Sequence, residues 1–269
     1  MQGLYLYCLR EKTKNSPKIT TKGITGEEEV FTIAYKELEA VVSKVSLEEF
    51  GSEEIQNKSQ EDLKWIREKA LAHEKVIEEA MGNKDRVLSV IPMRFGTIYK
   101  EEASLNETLD KDYAKAKELL NEIRGKREWS VKIYLKDRLK LEQAVKEKTG
   151  VIKEKEKEMA ALSEGMAFFM EEELRDLIGK EADIEVNNIA DEVFETLGKQ
   201  AGACVRSKVL GKELTGRPEP MVSNAAYLVP EEKTGEFKKE IEDLNRMMTA
   251  KGLYLECGGP WPAYNFVSF

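Results

Sequence analysis

Arg86-Val-Leu-Ser-Val-Ile-Pro-Met-Arg-Phe-Gly-Thr-Ile-Tyr99 is the stretch from which the rest of the chain can be read. Its apolar run, Val87 to Ile91, is short, β-branched and closed by Pro92, which predicts a buried strand. Pro92 has no N–H, so ladder pairing has to lapse at or beside it. Gly96 predicts a turn or bulge, after which Thr97-Ile98-Tyr99 resumes as extended chain. Between them, Arg94 and Phe95 place a fixed charge and a large ring at the edge of the core. Two roles suit Arg94: a clamp on an internal carboxylate or helix C-terminal carbonyls, or a contact with a partner. The planar guanidinium fork favours the clamp.

Helices flank this unit. Before it, Ser59-x-x-Asp62 reads as a capping box, and Leu63, Ile66, Ala70, His73, Ile77 and Ala80 recur on one helical face until Gly82-Asn83. After it, a helix opens near Ser104-x-x-Glu107 and turns Leu105, Leu109, Tyr113, Ala116, Leu120 and Ile123 inward. Gly125 stops it. Further upstream, Gly3 to Leu9, Val30 to Tyr35 and Leu38 to Val45 read as strands, with a turn at Asn15-Ser-Pro17.

The charged junction Lys126-Arg-Glu128 suggests a domain boundary, giving residues 1–127 and 128–269. The second half restarts with a strand in which Trp129, Val131, Ile133 and Leu135 alternate with Ser130, Lys132 and Tyr134. Lys136 to Glu158 is mostly charged, as on a solvated face. One helix then turns Met159, Leu162, Met166, Phe169 and Leu177 inward, widened by Met170, Leu174 and Ile178. Another carries Ile189, Val193, Leu197 and Ala201. A loop at Gly211–Pro220, a strand at Met221–Val229, a helix with Phe237, Ile241, Leu244 and Met248 inward, and a strand at Leu253–Cys257 complete it. This order predicts an α+β fold with a ferredoxin-like flavour in the second half.

The chain ends on Gly258-Gly-Pro-Trp-Pro-Ala-Tyr-Asn-Phe266. Pro260 and Pro262 exclude a helix and hold Trp261 on stiff backbone. Its rings suit either a lid over the second half's sheet or a docking anchor. The alternation of Tyr264 and Phe266 favours the lid, which would bury Trp261.

Composition narrows the chemistry. The 269 residues carry 43 Lys and Arg against 51 Asp and Glu, a net charge of −8, which disfavours non-specific nucleic-acid binding. Three cysteines without C-x-x-C spacing fit reduced thiols. No cleavable leader and no apolar run of about 18 residues is present, so a cytoplasmic protein without a membrane span is expected. His73 is the only histidine. It lies on an apolar helical face, and Ile77 stands where H-E-x-x-H needs its second histidine, so a structural role is expected. Gly211-Lys212 lacks both the first glycine and the hydroxyl of a phosphate loop, and no G-x-S-x-G elbow occurs. No catalytic, cofactor-binding or metal-binding set emerges.

Two of these stretches carry a resemblance. Ile91-Pro-Met-Arg-Phe-Gly-Thr97 and Gly259-Pro-Trp-Pro-Ala-Tyr-Asn-Phe266 resemble the signatures of the gas vesicle protein GvpL/GvpF family. Leu4-Tyr-Leu-Tyr7, Ala72-His-Glu74 and Trp129-Ser-Val-Lys-Ile-Tyr134 follow in the family's order. Met93 and Ala263 depart from it, standing where Leu and a second Pro are expected. The resemblance implies an N-terminal α/β domain and a modified ferredoxin-like C-terminal domain. It also implies a non-enzymatic role in gas vesicle assembly, with the small hydrophobic shell protein and other accessory proteins as partners. Arg94, Phe95, Gly96, Pro260, Trp261, Pro262, Tyr264 and Phe266 become the candidate partner-binding or structural residues. Two rivals stand beside this: an enzyme with a site around Arg94 and His73, and a ferredoxin-like nucleic-acid-binding module.

Overall fold

In the computed structural model, residues 1–14, 16–51, 55, 58, 62–83 and 86–269 are described. The turn predicted at Asn15 and the capping serine Ser59 lie outside them. The chain divides into two compact units, Met1–Glu128 with Pro260–Phe269, and Trp129–Gly259. The tail from Pro260 is therefore grouped with the first unit, not with the second as the 128–269 division expects.

The first unit is built on β1 (Gln2–Glu11), β2 (Val30–Tyr35) and β3 (Leu38–Ser46), followed by the short α1 (Leu47–Phe50) and the long α2 (Leu63–Met81). Asp62 caps α2 by accepting the N–H of Trp65. A two-residue pair, β4 (Gly82–Asn83) and β5 (Arg86–Val87), leads into β6 (Val90–Pro92) and β7 (Ile98–Tyr99). The single strand predicted from Val87 to Ile91 is thus two short pieces, because Val87 pairs back to Gly82 and only Val90–Pro92 joins the main sheet. Sheet order is β2-β3-β1-β6, and β7 also pairs with β1. These pairings are all antiparallel, with Leu9 opposite both Ala40 and Ile91.

Residues 3–10 of β1 are all buried, which an antiparallel strand achieves only with cover on both faces. Val76, Ile77 and Ala80 of α2 pack with Tyr5, Tyr7, Val41 and Val45 on one. The other is covered by α3 (Glu102–Lys111) and α4 (Tyr113–Glu122), through buried Leu105, Leu109, Ala116 and Leu120. One helix was predicted here; it breaks at Asp112. Each large apolar side chain buried this way is worth about 1.5–3 kcal/mol.

The second unit runs from β8 (Lys126–Leu135) through α5 (Arg138–Lys148), α6 (Gly150–Met159) and α7 (Glu164–Gly198) to the edge strand β9 (Ala203–Arg206). After the four-residue α8 (Lys212–Thr215) come β10 (Met221–Pro230), a 3-10 turn (Glu231–Lys233), α9 (Thr234–Ala250) and β11 (Leu253–Trp261). Sheet order is β11-β8-β10-β9, so the fourth strand lies beside the first and the third beside the second. That is the ferredoxin-like connectivity, enlarged by the helices between β8 and β9.

Two helices were expected across residues 159–201, and one of 35 residues is found from Glu164. Ala182 and Val186 continue the buried stripe from Leu174 and Ile178 to Val193 and Leu197, leaving no interruption. Gly179 does not break it, and its carbonyl accepts Arg138 Nη2 at 2.8 Å. Met166 and Phe169, expected inward, are 61% and 71% exposed.

Candidate functional site

Adjacent residues of α2, His73 and Glu74, reach the two unusual stretches of the sequence, one each. His73 Nδ1 lies 3.0 Å from the Tyr5 hydroxyl, and His73 Nε2 lies 3.2 Å from the carbonyl oxygen of Met93. A carbonyl can only accept, so Nε2 carries the proton and Nδ1 accepts from Tyr5. The Tyr5 oxygen in turn accepts the N–H of Gly96 at 3.0 Å. Burial lowers the imidazole pKa to about 4, so the ring is neutral, as this circuit requires. Phe95 packs edge-on to both Tyr5 and His73.

These bonds brace the turn at residues 94–97 from beneath. Met93 N–H donates to Tyr7 O at 2.8 Å, and Leu6 N–H donates to Thr97 O at 2.9 Å, so both ends are tied to β1. Within the turn, Thr97 N–H and Thr97 Oγ1 both donate to Arg94 O. Gly96 has φ +82°, the left-handed region where a side chain is strained. The predicted Pro/Gly bend is there, with Pro92 as the last residue of an edge strand, where a missing donor costs least.

Arg94 itself is exposed, and its side chain makes no hydrogen bond or ion pair among the described residues. The internal clamp expected of it is made by Arg10, which is 2% exposed. Arg10 Nε donates to Glu39 Oε2 at 3.0 Å, Nη1 to Ala80 O near the end of α2 at 2.9 Å, and Nη2 to Pro17 O at 3.2 Å.

The closing stretch differs from its expectation. β11 runs on through Trp261, so Gly258 and Gly259 lie in the strand and do not turn the chain out of it. Trp261 is 38% exposed, not sealed under a lid. Pro262 and Ala263 are the buried positions, and Phe266 is half-buried. Tyr264 and Phe266 do not alternate along a strand. They lie in a turn in which Phe266 N–H and Val267 N–H both donate to Ala263 O at 3.1 Å.

Two carboxylates of the first unit hold this turn. Tyr264 donates its hydroxyl to Glu74 Oε2 at 2.8 Å. Asn265 donates its backbone N–H to Glu128 Oε2 at 2.9 Å and its side-chain amide to Glu128 Oε1 at 2.6 Å. Burial pushes both carboxyl pKa values up, while the bonds from Tyr264 and Asn265 pull the other way. Glu74 Oε1 is buried without a hydrogen-bond partner among the described residues. The Tyr264 phenol is raised by burial and by the Glu74 charge beside it.

The residues singled out by sequence are therefore brought together through α2, but by residues that sequence reasoning did not select. His73 was read as structural; Glu74, Glu128 and Asn265 were not singled out. Both nitrogens of His73 are engaged, and among the described residues no cluster of His, Cys, Asp or Glu is suited to a metal. In the second unit, Tyr134 is 1% exposed and its ring stacks on Tyr254, so it is no open platform for a base. No described helix is long and apolar enough to cross a membrane.

Fold and site define an α+β protein whose distinctive segments are tied to one helix by structural hydrogen bonds, buried at His73 and open to solvent at Glu74. Residues 3–268 match the family described as "Gas vesicle synthesis protein GvpL/GvpF", and the chain belongs to that family. Gas vesicle protein F of a Nostoc species is 31% identical over 189 residues, 69% of this chain and 72% of that one. Gas vesicle protein F1 of Halobacterium salinarum is 24% identical over 99% of this chain and 93% of its own. The crystal structure of gas vesicle protein GvpF from Anabaena sp. PCC7120 superposes with a TM-score of 0.73 at 23% identity, covering 100% of this chain and 99% of that one. A shared fold follows from the last.

Proposed function

We propose that this protein is a non-catalytic factor in gas vesicle assembly, cytoplasmic and associated with the vesicles. In this reading it binds the small hydrophobic shell protein and other accessory proteins, and takes no cofactor or small-molecule substrate. The supporting observation is the convergence of the two stretches on α2, which leaves Arg94 exposed and Trp261 half-open above a braced base. Arginine and tryptophan are among the side-chain types that dominate binding energy at interfaces.

The test is capture of co-expressed shell protein by the full chain, wild type against Arg94→Ala/Trp261→Ala. The reading expects capture by the wild type and at least a tenfold loss in the variant, measured below the variant's own unfolding midpoint. Arg94→Ala alone should leave the midpoint unchanged, because that side chain is exposed. If the wild type captures no shell protein, the reading is wrong.

A further inference from the structure

Each sheet edge exposes a row of backbone N–H and C=O groups to which another strand can add, and folded proteins usually guard such edges. Three of the four edges of the two main sheets are guarded. The β6–β7 edge is interrupted by Pro92 and the turn carrying Arg94. The β11 edge contains Glu256, Gly258, Gly259 and Pro260, and β9 is four residues long and includes Arg206.

β2 is different. Val30-Phe-Thr-Ile-Ala-Tyr35 holds no charge, no proline and no glycine, and most of its residues favour strands. It pairs with β3 along its whole length, from Val30 opposite Ser43 to Tyr35 opposite Leu38. Its opposite edge makes no backbone hydrogen bond among the described residues. Phe31, Thr32 and Ala34 are exposed, and a cleft of about 450 Å³ lies alongside, lined by Val30, Phe31, Thr32 and Pro17 with the Arg10–Glu39 pair. The exposed acidic run Glu27-Glu-Glu29 stands at one end, with Glu29 bridged to Lys22 and ion-paired with it at 3.7 Å.

We propose that β2 is the strand-addition edge of this protein. Its occupant is an extended, uncharged, apolar segment of the shell subunit, with a basic residue at the end that meets Glu27 and Glu28. This rests on the shell-binding reading above. An uncharged edge matches an uncharged strand, and the acidic run sets its direction. Main-chain hydrogen bonds would supply affinity, and Phe31 with the neighbouring cleft would select the side chains.

The test uses the full chain with purified shell subunit, following amide exchange of residues 30–35 and capture by Thr32→Lys/Ala34→Lys. Both substitutions place a guarding charge on exposed positions, and Thr32→Val/Ala34→Val serves as the uncharged control. Expected are at least tenfold slower exchange at 30–35 on adding shell subunit, at least tenfold weaker capture by the lysine variant, and retained capture by the valine variant. Capture by the wild type with protection confined elsewhere, or full capture by the lysine variant, overturns the β2 assignment and leaves the shell-binding reading standing. Absence of wild-type capture overturns both. Concentration-dependent dimerisation that protects 30–35 and is lost in the lysine variant would assign the edge to a second copy of this chain instead.

Discussion

His73 and Arg94 show at the level of single residues what a sequence does and does not disclose. The structural part of His73 was legible, because Ala70 and Ile77 share its helical face and no second histidine exists to join it. Its partners were not, since Tyr5 and Met93 reach it from other elements. Arg94 sits beside an apolar run much as Arg10 does, and sequence contains nothing that tells which guanidinium points inward. Being the only histidine, His73 gives an uncluttered NMR probe. Its resonances should report the neutral Nε2–H tautomer and should not titrate until pH approaches about 4, against an ordinary 6.5. The folded pKa lies below the unfolded one, so this group's stabilisation is complete above pH 6.5 and is lost as pH falls towards 4. The loss is about 3 kcal/mol. A His73 signal titrating near 6.5 in the folded protein would refute the buried circuit.

Among elements, the strands and amphipathic helices of the first unit were readable because hydrophobic period decides them locally, as Leu38 to Val45 and Leu105 to Leu120 illustrate. Boundaries were less so. The split at Leu88–Ser89 depends on Val87 pairing back to Gly82, which no local pattern encodes. β9 escaped notice because four exposed residues, one of them charged, leave no alternation to read. The Gly96 turn was legible, and its conformation yields a prediction. A Cβ at Gly96 would meet only the Ile55 side chain, 3.4 Å away, so space is no obstacle. The positive φ is the obstacle, and Gly96→Ala should destabilise the protein by about 1–2 kcal/mol. Chemical denaturation measures this, and a midpoint equal to wild type would show that the turn adapts freely.

For the molecule as a whole, the sequence could not reveal where its own end goes. Tyr264 meets Glu74 across 190 positions and Asn265 meets Glu128 across 137, and no periodicity spans such distances. The alternation of rings suggested a lid on the second half, yet the segment belongs with the first unit, held by the buried carboxylate of Glu128 and the half-buried one of Glu74. Asn265→Ala should therefore act on residues 1–128. It removes the side-chain donor from Glu128 while the carboxyl group remains buried, a loss of about 1–3 kcal/mol. Burial raises the folded pKa of Glu128 above its ordinary 4.5. The sign is thus opposite to that of His73: the favourable contribution is full below 4.5 and disappears as pH rises through the raised value. The fold should accordingly draw more stability from this group in mild acid than at neutral pH, and the variant, having lost a bond that lowers this pKa, should steepen that dependence. Amide exchange resolves the location. In Asn265→Ala, faster exchange is expected around Cys8, Glu74 and Glu128, with residues 129–259 unchanged. Acceleration confined to 129–259 would return the tail to the second unit and remove Glu128 as its anchor.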